Sequence, residues 1–322
     1  MKVTYLEAIR MALREELERD PDVFLIGEDI GVYGGAFKAT RGLLEEFGPR
    51  RVMDTPISEA GFTGAAIGAA MTGLRPVVEF QFADFISCGF DQITNFAAKL
   101  HYRLGIPVPV VFRAPAGGGV HGGPFHSQSP EKYFTCTPGL KVVVPATAAD
   151  ARALLKAAIR DDNPVLVFEQ KYLYRRVKEE LNGDEVAQLG RAAVRRPGAG
   201  LTMATYGAMV HVCLEAAERL MEIGIDAEVV DLRSLVPLDE ETLMTSVKKT
   251  NRLLVIHEDN RTGGYGAEVA ARVADEAFVW LDAPIRRLTG FDTPVPFAPV
   301  LEDAWRPGPD RVFEAARELA AF

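Results

Sequence analysis

Glu59 opens the list of residues placed for chemistry. It is the only acid in the helical part of RVMDTPISEAGFTGAAIGAAM (residues 51–71), which reads as a short strand, a turn at Asp54-Thr55-Pro56 and a helix of small residues. Gly61, Gly64, Ala65, Gly68 and Ala69 recur at spacings of three and four, which leaves one helix face nearly bare. Glycine inside a helix costs about 1 kcal/mol against alanine, so three of them imply close approach by a backbone or a ligand. Ser58, or Thr55 with Pro56 behind it, is positioned to cap this helix. A carboxylate in the first turn has two readings: ordinary stabilisation of the positive helix end, or a group offered to a ligand.

A second candidate is the junction Glu79-Phe80-Gln81-Phe82-Ala83-Asp84-Phe85, at the end of an apolar strand. Open α/β sheets bind ligands at the carboxyl ends of their strands. Gln81 can donate and accept, while Phe82 and Phe85 can stack on an aromatic ligand or fill the core. Glu28 and Asp29 follow another strand at the mouth of the glycine-rich loop GEDIGVYGGAF, as site acids or as solvated loop acids. His126 lies in GGGVHGGPFHSQSPE, a loop whose other side chains are mostly small or absent. It reads either as a surface histidine or as a proton-transfer group. The same loop contains G-x-G-x-x-G after a strand, but no apolar helix follows and no acid lies about 20 residues on, so a dinucleotide site is disfavoured. Its glycines suit a mobile or tightly turned loop.

The elements that must position these residues alternate. Strands are expected at 23–26, 51–54, 76–80, 108–113, 141–144 and 165–169, with helices at the N-terminus, 84–104 and 148–160. The strands are β-branched without polar alternation, so they read as buried on both faces of parallel sheets. The pattern lapses after Tyr174 and resumes at Leu201, with strands at 201–205, 227–231, 253–257 and 285–289 and helices at 208–222, 240–250 and 265–277. The proline-rich FDTPVPFAPVLEDAWRPGP then reads as a surface tail ahead of a last helix from Asp310. The fold class is α/β, with two domains at 1–175 and 201–322, each a mostly parallel sheet flanked by helices, joined by a linker at 176–200.

Composition narrows the function. Of 322 residues, 48% are hydrophobic and 25% charged, and the net charge of −9 is spread out, which argues against nucleic-acid binding. Cys88, Cys136 and Cys213 are odd in number and far apart, as suits a reducing cytoplasm rather than a disulfide framework. No run approaches the ~20 apolar residues of a membrane span. The five histidines form no HxH, HExxH or Cys/His group, and there is no GDG with a paired asparagine.

GEDIGVYGG, RVMDTPISEAGFTGAAIGAAMTGLRPVVEFQFADF, GGPFHSQSPE, GLKVVVPATAADARALLKAAIRDDNPVLVFE and TGFDTPVPFAP occur in one family's order. The whole chain resembles the β subunit of the thiamine-diphosphate-dependent decarboxylating component of 2-oxo acid dehydrogenase complexes. That resemblance implies a pyrimidine-binding domain followed by a transketolase-type C-terminal domain. It makes Glu59 the acceptor-only partner of the pyrimidine ring nitrogen, an interaction that readies the cofactor's exocyclic amine to take a proton. Phe85 would stack on the pyrimidine, with Glu28, Ile57, Ser58, Gln81 and Phe82 around it, and His126 would handle protons or the substrate carboxylate. Val110, Ala158, Ile159, Asp161 and Asn163 match positions that hold a structural potassium ion in some members, although a simple turn at Asp161-Asp162-Asn163-Pro164 reads equally well. The resemblance, with GDG absent here, implies that magnesium and the diphosphate fall to a separate α subunit. The implied assembly is an α₂β₂ heterotetramer, working with a lipoyl-bearing acyltransferase. An acetoin-cleaving complex and a non-catalytic docking subunit are the competing readings.

Overall fold

Runs such as Val23-Phe24-Leu25-Ile26 carry no polar face, so they form strands only where both faces are covered. Such strands build two sheets here, one in each of two units, in a computed structural model that describes residues 2–181 and 183–322. The first unit ends its first segment at Ala116 and resumes over Tyr133–Leu189; the second comprises Gly117–Lys132 and Gly190–Phe322. The loop bearing His126 therefore belongs with the C-terminal half of the chain.

The first unit runs β1 (Lys2–Thr4), α1 (Tyr5–Arg19), β2 (Val23–Gly27), α2 (Leu43–Phe47), β3 (Val52–Asp54), α3 (Glu59–Met71), β4 (Arg75–Glu79), α4 (Ala98–Leu104) and β5 (Val111–Ala116). After α5 (Lys132–Thr135) come β6 (Lys141–Val143), α6 (Ala148–Arg160), β7 (Val165–Gln170) and β8 (Lys178–Glu180). Thr4 and Glu7 cap α1 reciprocally: the Thr4 hydroxyl accepts from Glu7 N at 3.1 Å and the Glu7 carboxylate from Thr4 N at 2.7 Å. Six parallel strands take the order β6-β7-β5-β4-β2-β3. The strand expected at 108–113 starts instead at Val111, because Pro107 and Pro109 have no N–H to give the ladder.

The single helix expected over 84–104 is instead three segments. Ala83–Gly89 winds as a 3₁₀ helix, Gln92–Ala97 as a π-helix and Ala98–Leu104 as α4. Two local features accompany the change. Thr94 Oγ donates back to Phe90 O at 2.8 Å, a bond that competes with the helical ladder. Gly89 sits where a Cβ would lie 3.0 Å from Thr63 Oγ1. The same packing explains part of the bare face of α3, since a Cβ on Gly64 would lie 3.3 Å from Gln92 Oε1. Gly61, Ala65 and Gly68 remain exposed.

Under the ends of the central strands lies a buried ion network. Arg113 on β5 donates to Glu79 on β4 at 2.5 Å and to Glu169 on β7 at 2.6 and 3.0 Å, and the Tyr174 hydroxyl adds a bond to Glu169 at 2.8 Å. Burial pushes the Glu79 carboxyl above its usual range, opposed by Arg113, while the two carboxylates hold the Arg113 guanidinium charged.

The second unit follows β9 (Ala193–Arg196), β10 (Leu201–Thr205), α7 (Met209–Glu222), β11 (Ala227–Asp231), β12 (Ser234–Val236), α8 (Glu240–Thr250), β13 (Leu253–Asn260), α9 (Gly266–Ala277) and β14 (Arg286–Gly290). Its sheet has the order β14-β13-β10-β11-β9, parallel except for β9. The tail expected at the surface contains a helix, α10 (Pro299–Trp305), which starts on a proline whose missing N–H is harmless there; α11 (Pro309–Ala320) closes the chain. Among the described residues, no helix is long and apolar enough to cross a membrane.

Removing Arg113 would strand two buried carboxylates. Arg113→Met is expected to lower the unfolding free energy by about 3–5 kcal/mol in denaturant titration. A loss under about 1 kcal/mol would mean the network contributes no more than an exposed pair.

Candidate active site

Backbone register assembles the first group of candidate residues. Gly27, the last residue of β2, pairs with Asp54 on β3 and with Glu79 on β4. The chain therefore leaves three adjacent parallel strands at one sheet edge, and Glu28, the Ile57-Ser58-Glu59 segment and the Gln81–Phe85 segment all emerge there. Glu28 is 5% exposed and accepts from the Ser58 backbone N–H. Its carboxyl is pushed up, first by burial and then by the nearby Glu59 charge. Glu28 Oε1 has no hydrogen-bond partner among the described residues. Glu59 is the first residue of α3, whose N-cap, Ser58, makes no side-chain capping bond. The expected Ser58 hydroxyl cap is thus absent, and the backbone N–H of Ser58 serves Glu28 instead.

The neighbouring loops hold this edge in shape. Asp29 adopts φ 56°, its carbonyl accepts from Gly35 N at 2.8 Å, and its carboxylate accepts from Gln81 Nε2 at 2.9 Å. Gly31 N donates to Asp54 Oδ1 at 2.6 Å, and a Cβ on Gly31 would lie 2.4 Å from Oδ2, so a side chain at residue 31 would displace the Asp54 carboxylate from its present position. Phe82 and Phe85 meet edge-on at 6.0 Å, and Phe37 adds a third ring 5.3 Å from Phe82. Ile57 is 82% exposed, which puts an apolar side chain at the mouth rather than in the core. Glu28, Ile57, Ser58, Glu59, Gln81, Phe82 and Phe85 are thus gathered at one edge of the first unit.

His126 belongs to the second unit, in a loop that is tightly turned and stapled. The buried Glu302 carboxylate on α10 accepts from Gly119 N at 2.9 Å, from His121 N at 3.0 Å and from His121 Nδ1 at 2.7 Å. Glu258 on β13 accepts from Gly118 N. A Cβ on Gly118 would lie 2.7 Å from Glu302 and 3.0 Å from Glu258, which is why glycine stands there. His126 itself is half-buried. Five residues on, Glu131 is 1% exposed and neither carboxylate oxygen has a partner among the described residues. Burial, with Asp259 and Glu258 adding like charge, raises its carboxyl to about 8. Burial also raises Asp259 to about 6, although Lys132 lies 3.3 Å away.

The five positions matched to a potassium site lie in the first unit. Arg75 donates to the carbonyls of Ile159 at 3.0 Å and Asp161 at 3.1 Å. Val110 O accepts from Val165 N at 3.1 Å and Ala158 O from Asp161 N at 3.3 Å. The Asp161 carboxylate takes Asn163 N at 2.9 Å and pairs with Lys141. An all-oxygen set suits a hard cation, and side-chain cations of this chain already share it. Among the described residues no cluster of His, Cys, Asp or Glu could hold a metal ion.

The fold belongs to a recognised class. A family model for the transketolase pyrimidine-binding domain matches residues 1–177, and one for the transketolase C-terminal domain matches 190–312. Over 99% of both chains the sequence is 50% identical to the 2-oxoisovalerate dehydrogenase subunit beta of Bacillus subtilis (strain 168). It is 45% identical to the pyruvate dehydrogenase E1 component subunit beta of Rickettsia conorii, covering 100% of this chain and 99% of that one. It is also 45% identical to the B. subtilis acetoin:2,6-dichlorophenolindophenol oxidoreductase subunit beta, covering 98% of this chain and 97% of the relative. Among solved structures it resembles a "split gene transketolase, inactive beta4 tetramer", with TM-score 0.82 and 26% identity over 99% of this chain and 98% of that one. The chain belongs to the β subunits of the thiamine-diphosphate-dependent 2-oxo acid dehydrogenases.

Sequence reasoning missed Phe37, Arg113, Glu131, Glu169, Glu258 and Glu302. The usable signal was charge in apolar strands, as in VVFRAPA, VLVFEQ and LLVIHED, since buried charges require partners. Glu131 gives a direct pH test. A folded carboxyl near 8, raised from about 4.3 in the unfolded chain, adds stability fully present below pH 4.3 and lost as pH rises through 8. Glu131→Gln is therefore expected to fall behind the parent least, or overtake it, near pH 9, as read by denaturant midpoints from pH 5 to 9. Parallel curves for the two proteins would refute this.

Proposed function

We propose that this chain supplies the pyrimidine half of a thiamine diphosphate site in an α₂β₂ heterotetramer. The assembled enzyme oxidatively decarboxylates a 2-oxo acid and passes the acyl group to the lipoyl group of an acyltransferase. The observation carrying this reading is the Glu28–Glu59 pair, two close carboxylates at adjacent strand ends, one of them with a buried oxygen unpartnered among the described residues. Such an atom needs a donor, which a protonated heterocycle supplies. Glu59 would hold the proton on a pyrimidine nitrogen, and Glu28, favoured in its neutral form, can hold or release a second proton beside it. Gln81 and Ile57 would set the orientation of the ring, and Phe82 and Phe85 would offer it aromatic contact. Thiamine diphosphate would supply a carbon acid whose deprotonated form is a nucleophile for carbonyl groups, and a cationic ring able to serve as an electron sink.

His126 would move a proton or meet the substrate carboxylate, which the pinned glycine loop supports by fixing its backbone. Magnesium and the diphosphate are assigned to the α subunit. Potassium, where used, would share the 158–163 turn with Arg75. The exposed Gly61, Ala65 and Gly68 of α3 are assigned to the subunit interface. The assembly is placed in the cytoplasm. An acetoin substrate is the second reading, favoured by the 45% identity to the acetoin oxidoreductase subunit.

The test is Glu59→Gln in the reconstituted tetramer, assayed with pyruvate, branched-chain 2-oxo acids and acetoin. Turnover of the preferred 2-oxo acid is expected to fall by about 10²–10⁴-fold with the tetramer intact. Near-parental turnover would leave only a docking role, and acetoin as the sole substrate would select the second reading.

A further inference from the structure

The loop that carries His126 is held at both ends. Gly117 N donates to Gln128 O at 2.9 Å, which closes its base, and the amides of Gly118, Gly119 and His121 reach Glu258 and Glu302. Within it Gly122 N donates to Ser127 Oγ at 3.1 Å. A Cβ on Gly122 would lie 2.8 Å from His126 Cβ, so the turn fixes where the His126 side chain starts. At the far end Lys132 Nζ lies 3.3 Å from Asp259 Oδ1 and pairs with Asn260 Oδ1. Anchors from both ends therefore meet on one strand, because Glu258 and Asp259 are consecutive residues of β13.

Glu131 lies against both anchors and serves neither. It is buried, and neither of its carboxylate oxygens has a hydrogen-bond partner among the described residues. The charged and titratable groups that act on it are Asp259 and Glu258 from β13, its neighbour Lys132, and Tyr206 just beyond β10. The two nearby cations are already engaged: Lys132 with Asp259, and Arg306, whose Nε lies 3.4 Å from Glu258. Burial keeps the Tyr206 phenol neutral. An ionised Glu131 would be a third carboxylate in this buried group with no cation of its own, a costly state. A neutral carboxyl avoids that cost, and burial, ahead of the Asp259 and Glu258 charges, favours it. Loss of the proton would set like charge against Glu258, which holds Gly118 N, and against Asp259, which holds Lys132. One ionisation loads both ends of the loop.

We propose that Glu131 is the positioning residue of the His126 loop: its protonated carboxyl leaves the Glu258 and Asp259 anchors undisturbed, and its ionisation loosens the loop and frees His126 from its place. The consequence for turnover rests on the reading of His126 as a group that moves a proton or meets the substrate carboxylate. The test uses the reconstituted tetramer with its cofactor, comparing the parent with Glu131→Gln and with Glu131→Leu, a second uncharged side chain, from pH 7 to 9. The ratio of variant to parent kcat is expected to rise about tenfold over that range. The reason is that only about a tenth of the parent's Glu131 keeps its proton one pH unit above 8. Hydrogen exchange of residues 117–131, corrected for its intrinsic pH dependence, is read on the same samples by mass spectrometry. Protection in the parent is expected to fall about tenfold and to stay level in both variants. A kcat ratio independent of pH, or parent protection constant from pH 7 to 9, would overturn the proposal and leave Glu131 a packing residue. Parent turnover at pH 7 tests the functional reading separately, because loop exchange is measured without it.

Discussion

Arg113 stands between two carboxylates that the middle of a parallel sheet would otherwise reject. Glu79 and Glu169 come from strands on either side of it, and all three side chains are nearly solvent-free. Burying such groups is expensive, and mutual pairing offsets the cost only when the geometry is near ideal. The Arg113–Glu169 contact, through Nε and Nη2 at 2.6 and 3.0 Å, meets that demand. The consequences reach the site directly. A Cβ on Gly27 would meet Glu79 O at 2.5 Å, and one on Gly35 would meet Glu79 Oε1 at 2.6 Å. The loop carrying Glu28 and Asp29 is therefore moulded around the end of β4, and Glu79 is a support for that loop rather than a reacting group.

The two units share a device, a carboxylate that accepts from glycine-rich backbone, exposed in the first unit and buried in the second. In the first unit Asp54 receives Gly31 N. In the second, Glu258 and Glu302 receive the amides of Gly118, Gly119 and His121. Loops of this kind keep positions without bulky side chains of their own, which leaves room at the backbone surface for a ligand or another chain. Glu28 and Glu59 use proximity differently. Burial first, and then the nearby Glu59 charge, raise the proton affinity of Glu28.

Much of the fold could be read from the sequence because its strands are short, apolar and bounded by glycine or proline. β11 and α8 fall at the expected residues, and β10 does so too. Boundaries failed where local chemistry overrode the pattern: Pro107 and Pro109 delayed β5, and the Thr94 back-bond accompanies the broken helix over 83–104. The tail around Glu302 was read as a surface segment because prolines mask a two-turn helix, so the role of the buried Glu302 as anchor of the His126 loop was invisible. The candidate site was legible in type. Glu28, Glu59 and the Gln81–Phe85 segment lie far apart along the chain, and parallel register puts them at one edge. The partners of Arg113 could not be read off, because pairing between buried charges depends on which strands are neighbours.

A split site makes one demand that the isolated chain can meet or fail. Thiamine diphosphate titrated calorimetrically into this chain alone, with and without magnesium, and then into its mixture with an α subunit, examines it. Weak binding by the chain alone, insensitive to magnesium, and tight magnesium-dependent binding only in the mixture are expected if the chain contributes just the pyrimidine side. Tight, magnesium-dependent binding by the chain on its own would contradict a site divided between two subunits.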